Sequence, residues 1–342
     1  MDAIAATRES RLPRFLQSFL RSKEFAILLA LVIMMVVITA VNRRFIDYTN
    51  LSQVSRQIAF VAIVALGELF VILTGGIDLS VGSVMGWAAL AAAWAMTTTP
   101  GADPDTANSM AAMWSPHLHP ALAVVFGVLV GVTMGAISGS LIAYVKIPPF
   151  IATLGMLSFA SGNVLGLTKG WPITGIPKSY YWVAQQDFLK LPVPVWVALV
   201  LAVVAHVALT YTAFGRRTYA IGGNEQATFL SGIDIDRIKF VLYMIAAGFA
   251  SVSGIMLVSR FASSQADIGK GWELDAIAAA VIGGTSLAGG SGSVLGVIIG
   301  ACIMAVLRNG LVLMGVSTYW HTSIIGVVIV LAAVLDVKTK RS

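Results

Sequence analysis

The sequence predicts an all-α integral membrane protein of about ten transmembrane helices with an internal repeat. Composition, span length and a duplicated glycine-rich phrase each point there. Hydrophobic residues make up 58% of the 342 positions and charged ones only 11%, against roughly a quarter charged in soluble domains. Runs such as 25–41 and 324–335 carry no charge at all. About 20 apolar residues cross a bilayer as a helix, so the chain holds roughly ten spans and no separate soluble domain. The phrase that opens Gly75-Gly76 returns once, near the end of the chain, opening Gly283-Gly284.

In chain order, apolar periodicity places spans near 25–41, 54–74, 80–97, 120–145, 148–168, 193–213, 239–259, 274–288, 293–313 and 319–335. Before them lies a basic segment, 1–24, with Arg8, Arg11, Arg14, Arg21 and Lys23. It lacks a small-residue cleavage site and reads as a cytoplasmic lead-in, not a removable signal. Lys and Arg hold loops in the cytoplasm, which accounts for a net charge of +6 without invoking nucleic acid. With the N-terminus inside, the cytoplasm receives thirteen basic residues: the lead-in, Lys146, Arg216, Arg217, Arg237, Lys239, and Lys338, Lys340 and Arg341 in a tail at 338–342. The other side receives eight: Arg43, Arg44, Arg56, Lys169, Lys178, Lys190, Arg260 and Lys270. Arg43-Arg44 runs against the bias, whereas the 98–119 loop, with acids and no Lys or Arg, agrees with it. One transmembrane domain over 25–337, with both termini cytoplasmic, is the expected organisation.

The two phrases read Gly75-Gly76-Ile77-Asp78-Leu79-Ser80-Val81-Gly82-Ser83-Val84-Met85-Gly86 and Gly283-Gly284-Thr285-Ser286-Leu287-Ala288-Gly289-Gly290-Ser291-Gly292-Ser293-Val294-Leu295-Gly296. Each has a Leu three residues after its Gly pair and closes on Gly-Ser-Val-x-Gly. Such glycine density breaks helices, and broken helices persist in a membrane only where protein or a water-filled cavity covers the freed backbone. Paired breaks in two halves of a chain point to a translocation pathway. Chance matching of Gly/Ser-rich text is the plain alternative.

Pathway or helix-break candidates follow: Gly75, Gly76, Asp78, Ser80, Asp275, Gly283, Gly284, Thr285 and Ser286. Asp78 either offers hydrogen bonds to a solute in the pathway or caps the helix beginning near Leu79, and its neutral counterpart Ser286 favours the cap. Glu273 and Asp275 stand in a first helical turn, where the dipole favours acids; the alternative is a place near an external mouth. Arg308 reads as snorkelling to an interface, with an ion pair or gate as the alternative. Trp320 and His321 read as interfacial belt residues. Arg260 and Lys270 read as solvated, or as docking points for an external protein. The four histidines and the single Cys302 have no ligand spacing, so no metal site is expected.

Between the sixth and seventh spans, Asn224 reads as an N-cap and Glu225 as a first-turn acid. Ala227, Phe229 and Leu230 give that short helix an apolar side, and Gly232 its stop. Such an element outside the membrane carries force from a soluble partner, or is an ordinary capped loop. The segment Gly222-Gly223-Asn224-Glu225-x-Ala227-x-x-x-Ser231-Gly232-Ile233 resembles the coupling motif of permease subunits of bacterial ATP-driven importers. Specifically it is similar to the ribose-type branch, which imports monosaccharides such as ribose, xylose, arabinose and galactose. The 75–83 phrase, the stretch 272–290 and Pro149-Phe150-Ile151-Ala152-Thr153-Leu154-Gly155 resemble the same branch.

The resemblance implies a type II importer-like permease fold and a coupling loop over 214–238. It also implies a second permease copy (homodimer) or a paralogous permease, cytoplasmic ATPase subunits and a periplasmic sugar-binding protein in the cell inner membrane. The 98–119 loop looks longer than is usual in the family.

The chain has no phosphate loop, nucleophile elbow or H-E-x-x-H pair. ATP-Mg is therefore expected on a partner ATPase, with no cofactor in this subunit and no enzyme activity of its own. Relatives that carry autoinducer-2 or a nucleoside share the glycine phrases. An ion-coupled transporter is a further alternative, although only Asp78 and Arg308 stand out as ionisable groups near the spans.

Overall fold

In hydrocarbon every backbone N–H and C=O must be satisfied within its own segment, so long apolar runs become helices. The computed structural model describes residues 23–98 and 115–341. Most of the basic lead-in, the acidic part of the 98–119 loop and Ser342 lie outside the described residues. The helices are α1 (Lys23–Val41), α2 (Tyr48–Ile72), α3 (Val81–Met96), α4 (Pro120–Ala143), α5 (Pro149–Thr168), α6 (Trp182–Gln185), α7 (Val193–Tyr211), α8 (Ala213–Gly223), α9 (Glu225–Leu230), α10 (Ile235–Phe261), α11 (Trp272–Ile282), α12 (Val294–Leu313) and α13 (Thr318–Arg341). A hairpin of two-residue strands, Asp187–Phe188 with Leu191–Pro192, is the only sheet among the described residues.

Ten of these helices match the ten expected spans, and seven are long and apolar enough to cross a membrane. The exceptions are α3, the apolar part of α13, and α11, which stops at Ile282 instead of near 288. Gly283 caps α11 and Gly284 after it takes left-handed backbone (φ 86°), which ends the helix early. The expected tail at 338 is continuous with α13 as far as Arg341.

Helix α2 is the centre. From Ala59 to Ile72 it is apolar except at Glu68 and enclosed on every side, as expected of a stretch with no polar face. Around it pack α7, α10, α11 and α12. Beside them α4 lies along α10 through Gly127, Gly131, Gly135 and Gly139, one glycine every turn. A Cβ at Gly131 would stand 1.8 Å from Ser251 Oγ, and one at Gly135 2.5 Å from the Ala247 Cβ. Small residues at four-residue spacing let membrane helices approach to backbone contact. By contrast, α1, α5 and α7 are peripheral and turn large apolar side chains outward.

One end of the bundle is closed by loops that bond to one another. Thr97 Oγ1 donates to Thr174 O (2.7 Å), Ile173 bridges Ser264, and Arg56 of α2 pairs with Asp187 of the hairpin. Asn50 and Asn309 exchange amide hydrogen bonds (3.1 and 2.8 Å), tying the start of α2 to the end of α12. The opposite end carries α8 and α9.

Candidate functional site

Three glycine-rich segments meet at the α8–α9 end. The first break runs from Leu73 to Ser80 between α2 and α3; the second runs from 283 to 293 between α11 and α12. Gly75 (φ 77°), Gly289 (86°) and Gly290 (76°) take backbone that side chains resist. Gly290 N–H donates to Leu73 O at 2.9 Å, bonding one break to the other. A Cβ on Gly289 would lie 2.8 Å from Gly75 N and 2.9 Å from Gly222 Cα. The end of α8 therefore sits where the breaks touch. From α8, the Tyr219 hydroxyl donates to Gly292 O at 2.9 Å; burial pushes that phenol above its ordinary range, which keeps its proton.

Within each break a side chain serves the backbone two residues on. Asp78 Oδ1 accepts Ser80 N–H (2.8 Å) and the Ser80 hydroxyl (2.6 Å), and Ser286 Oγ accepts Ala288 N–H (3.2 Å). These are the matched roles that the phrase and its echo suggest, with one displacement. Helix α3 starts at Val81, not near Leu79, so Asp78 shapes the turn ahead of the helix instead of bonding its first turn. Asp78, Ser80, Thr285 and Ser286 are all buried, and so is Asp275. Gly76 packs against Tyr243, whose hydroxyl lies 2.7 Å from where a Cβ would be. Gly283 faces Gly296, where a Cβ would meet Gly296 O at 2.4 Å, so α11 and α12 nearly touch backbone to backbone.

Glu68, near the C-terminal end of α2, is a functional candidate that the reading of the sequence missed. Its side chain is fully buried; Oε1 accepts Asp78 N–H at 3.0 Å and Oε2 has no partner. A lone acid inside the 54–74 apolar run was the available signal, since carboxylates inside spans are costly and mark function. The count of ionisable groups near the spans was therefore too low: Glu68, Arg56 and Asp275 belong to it as well.

Arg308 does not snorkel. Its guanidinium Nη2 reaches both carboxylate oxygens of Asp275 (2.8 and 2.7 Å), joining α12 to α11, and Asp275 is thus a partner more than a dipole acid. Packing makes this choice, because α11 and α12 run side by side after the second break. Glu273 instead lies against Gly82, 2.1 Å from a Cβ placed there. His321 is buried within the protein, with Nε2 3.1 Å from Val316 O, while the neighbouring Trp320 is exposed. Arg260 is not simply solvated: it bonds Gln53.

Helix α9 forms as its sequence suggests. Asn224 Oδ1 accepts Ala227 N–H at 2.9 Å, Glu225 occupies the first turn, and Gly232 ends the segment at φ 78°. Phe229 and Leu230 are 68% and 79% exposed, an apolar tip left largely uncovered by the described residues. Glu225 pairs with Lys239 of α10 at 2.7 Å, and Lys146 pairs with Asp236. Helix α8 was not foreseen. It starts with Thr212 accepting Gly215 N–H (3.2 Å) and buries Ile221. No group of three or more metal-binding side chains occurs among the described residues.

A helical membrane protein whose two broken spans are tied together, and to an exposed helix pair, has the architecture of a transporter. The chain belongs to the family described as branched-chain amino acid transport system / permease component, which matches residues 50–333. It is 40% identical to the ribose import permease protein RbsC of Bacillus subtilis, over 91% of each chain. It is 38% identical to RbsC of Escherichia coli K12, over 91% of this chain and 92% of that one. The xylose transport system permease protein XylH of Escherichia coli K12 is 33% identical, over 93% and 92%. No solved structure matches.

Proposed function

We propose that this chain is the permease subunit of an ATP-driven, binding-protein-dependent importer that carries a monosaccharide, a pentose or hexose, across the cell inner membrane. Its likeness to the ribose and xylose permeases supports the substrate class. The observation that carries the mechanism is α9: a capped helix with an exposed Phe229-Leu230 tip, anchored at its root by Glu225–Lys239. A groove of a cytoplasmic ATPase subunit would bury that tip, and ATP-Mg would bind there, not here. This reading puts the α8–α9 end and both termini in the cytoplasm. The opposite end then meets a periplasmic sugar-binding protein.

A second copy of the permease fits the exposed face of α5. Gly155, Gly162 and Gly166 have open space where a Cβ would stand. Ser158 and Asn163 join Gly162 and Gly166 along a groove of about 320 Å³. Small and polar residues at one face suit a helix partner better than lipid.

Ion coupling is the second reading, and one observation favours it: neither Glu68 nor Asp78 has an ion-pair partner among the described residues. Reconstituting the chain with its ATPase and sugar-loaded binding protein separates the two. Uptake should require ATP, and Glu225→Ala or Gly232→Pro should lower it at least tenfold without preventing insertion. Uptake by this chain alone, driven by a proton or sodium gradient, would overturn the proposal.

A further inference from the structure

The end of α8 touches both breaks through backbone alone. A Cβ on Gly222 would stand 1.9 Å from Leu73 O, in the first break, and 2.3 Å from Gly290 N, in the second. Those two atoms belong to the very hydrogen bond that joins the breaks, Gly290 N–H to Leu73 O at 2.9 Å. Gly222 thus lies against that bond with no side chain between. Its neighbour Gly223 has nothing within 4 Å of its Cβ position. Two residues further on, α9 begins, and Asn224 is at once the last cap of α8 and the first cap of α9. A displacement of α9 therefore reaches Gly222 across one residue.

We propose that Gly222 is the positioning residue through which α9 moves both helix breaks together. Packing at backbone contact has two consequences. The junction has no compressible side chain to absorb a shift, so a displacement of α8 acts directly on the paired strands of backbone. Because one glycine meets a group from each break, neither break moves alone. Tyr219, one turn earlier, adds a tether: its hydroxyl on Gly292 O (2.9 Å) binds α8 to the far side of the second break. The Phe70–Phe214 contact (6.5 Å between ring centroids) holds the start of α8 to α2, leaving its Gly222 end as the part that swings.

This inference rests on the reading that α9 meets an ATPase, and the two fail differently. If the reading fails, wild-type permease neither binds the ATPase nor transports on ATP. If the reading holds, the test is uptake per ATP hydrolysed in the reconstituted complex, with ATPase co-purification as the check on assembly. Gly222→Ala should assemble, hydrolyse ATP and lose uptake at least tenfold, while Gly326→Ala on α13, where a Cβ meets nothing within 4 Å, loses less than threefold. Equal losses at the two positions, or wild-type uptake by Gly222→Ala, would overturn the proposal. Should Gly222→Ala not insert, Tyr219→Phe decides. It removes one hydroxyl and should lower uptake per ATP at least threefold at unchanged assembly; an unchanged ratio counts against the proposal.

Discussion

The Arg308–Asp275 pair shows what single residues do here. Asp275 is buried and both of its oxygens meet Arg308, while the Arg308 Nε has no partner. Breaking a buried pair strands the surviving charge, at a cost of about 3–5 kcal/mol. Arg308→Leu should therefore lower the thermal unfolding temperature in detergent sharply, and Arg308→Leu with Asp275→Leu should recover most of the loss. A single variant as stable as the parent would mean that the pair holds nothing. The sequence displays both ionisable residues, but they stand 33 positions apart, and only the packing of α11 on α12 makes them partners. The same limit hid Glu68. Its acid is visible in an apolar run, whereas its bond to Asp78 N–H depends on how the first break folds back on α2.

Among the elements, those governed by local chemistry were legible. Asn224, Glu225 and Gly232 specify α9 within a dozen residues, and the cap bond follows. Helix α8 was not, because Gly215, Gly222 and Gly223 each weaken helix propensity by about 1 kcal/mol relative to Ala. It folds because Ile221 is buried and because Gly215 and Gly222 fit close to neighbouring backbone. The α4 stripe follows the same logic on a larger scale. Gly135→Ala would place a Cβ 2.5 Å from the Ala247 Cβ, and overpacking of this kind costs about 1–3 kcal/mol. Gly155→Ala on α5 meets nothing within 4 Å and should change stability by less than about 0.5 kcal/mol. Unfolding of the two variants side by side checks this; equal shifts would mean that α4 and α10 are not in backbone contact.

Across the whole molecule, the exposed faces differ in kind. Helix α7 turns apolar side chains such as Leu199, Val200, Val203, Val204 and Val207 outward, a surface suited to lipid, whereas α5 sets its glycines, Ser158 and Asn163 among outward Phe159 and Leu167. Two copies meeting at α5 should cross-link. In a Cys302→Ser background, Gly162→Cys should yield a dimer with a short thiol reagent in membranes, and Leu199→Cys should not. The reverse pattern would move the copy–copy contact to α7.

Hydropathy alone determined that the chain spans a membrane, roughly where its ten helices lie, and that two glycine-rich phrases break them. It could do so because transfer into lipid and helix breaking are properties of short segments. The capped α9 was determined in the same way. The meeting of Leu73, Gly222 and Gly290, the pairing of Arg308 with Asp275, and the burial of Glu68 against Asp78 were decided by tertiary structure alone. Each joins segments that are separate in the chain, and each depends on helices approaching to the distance that glycine permits.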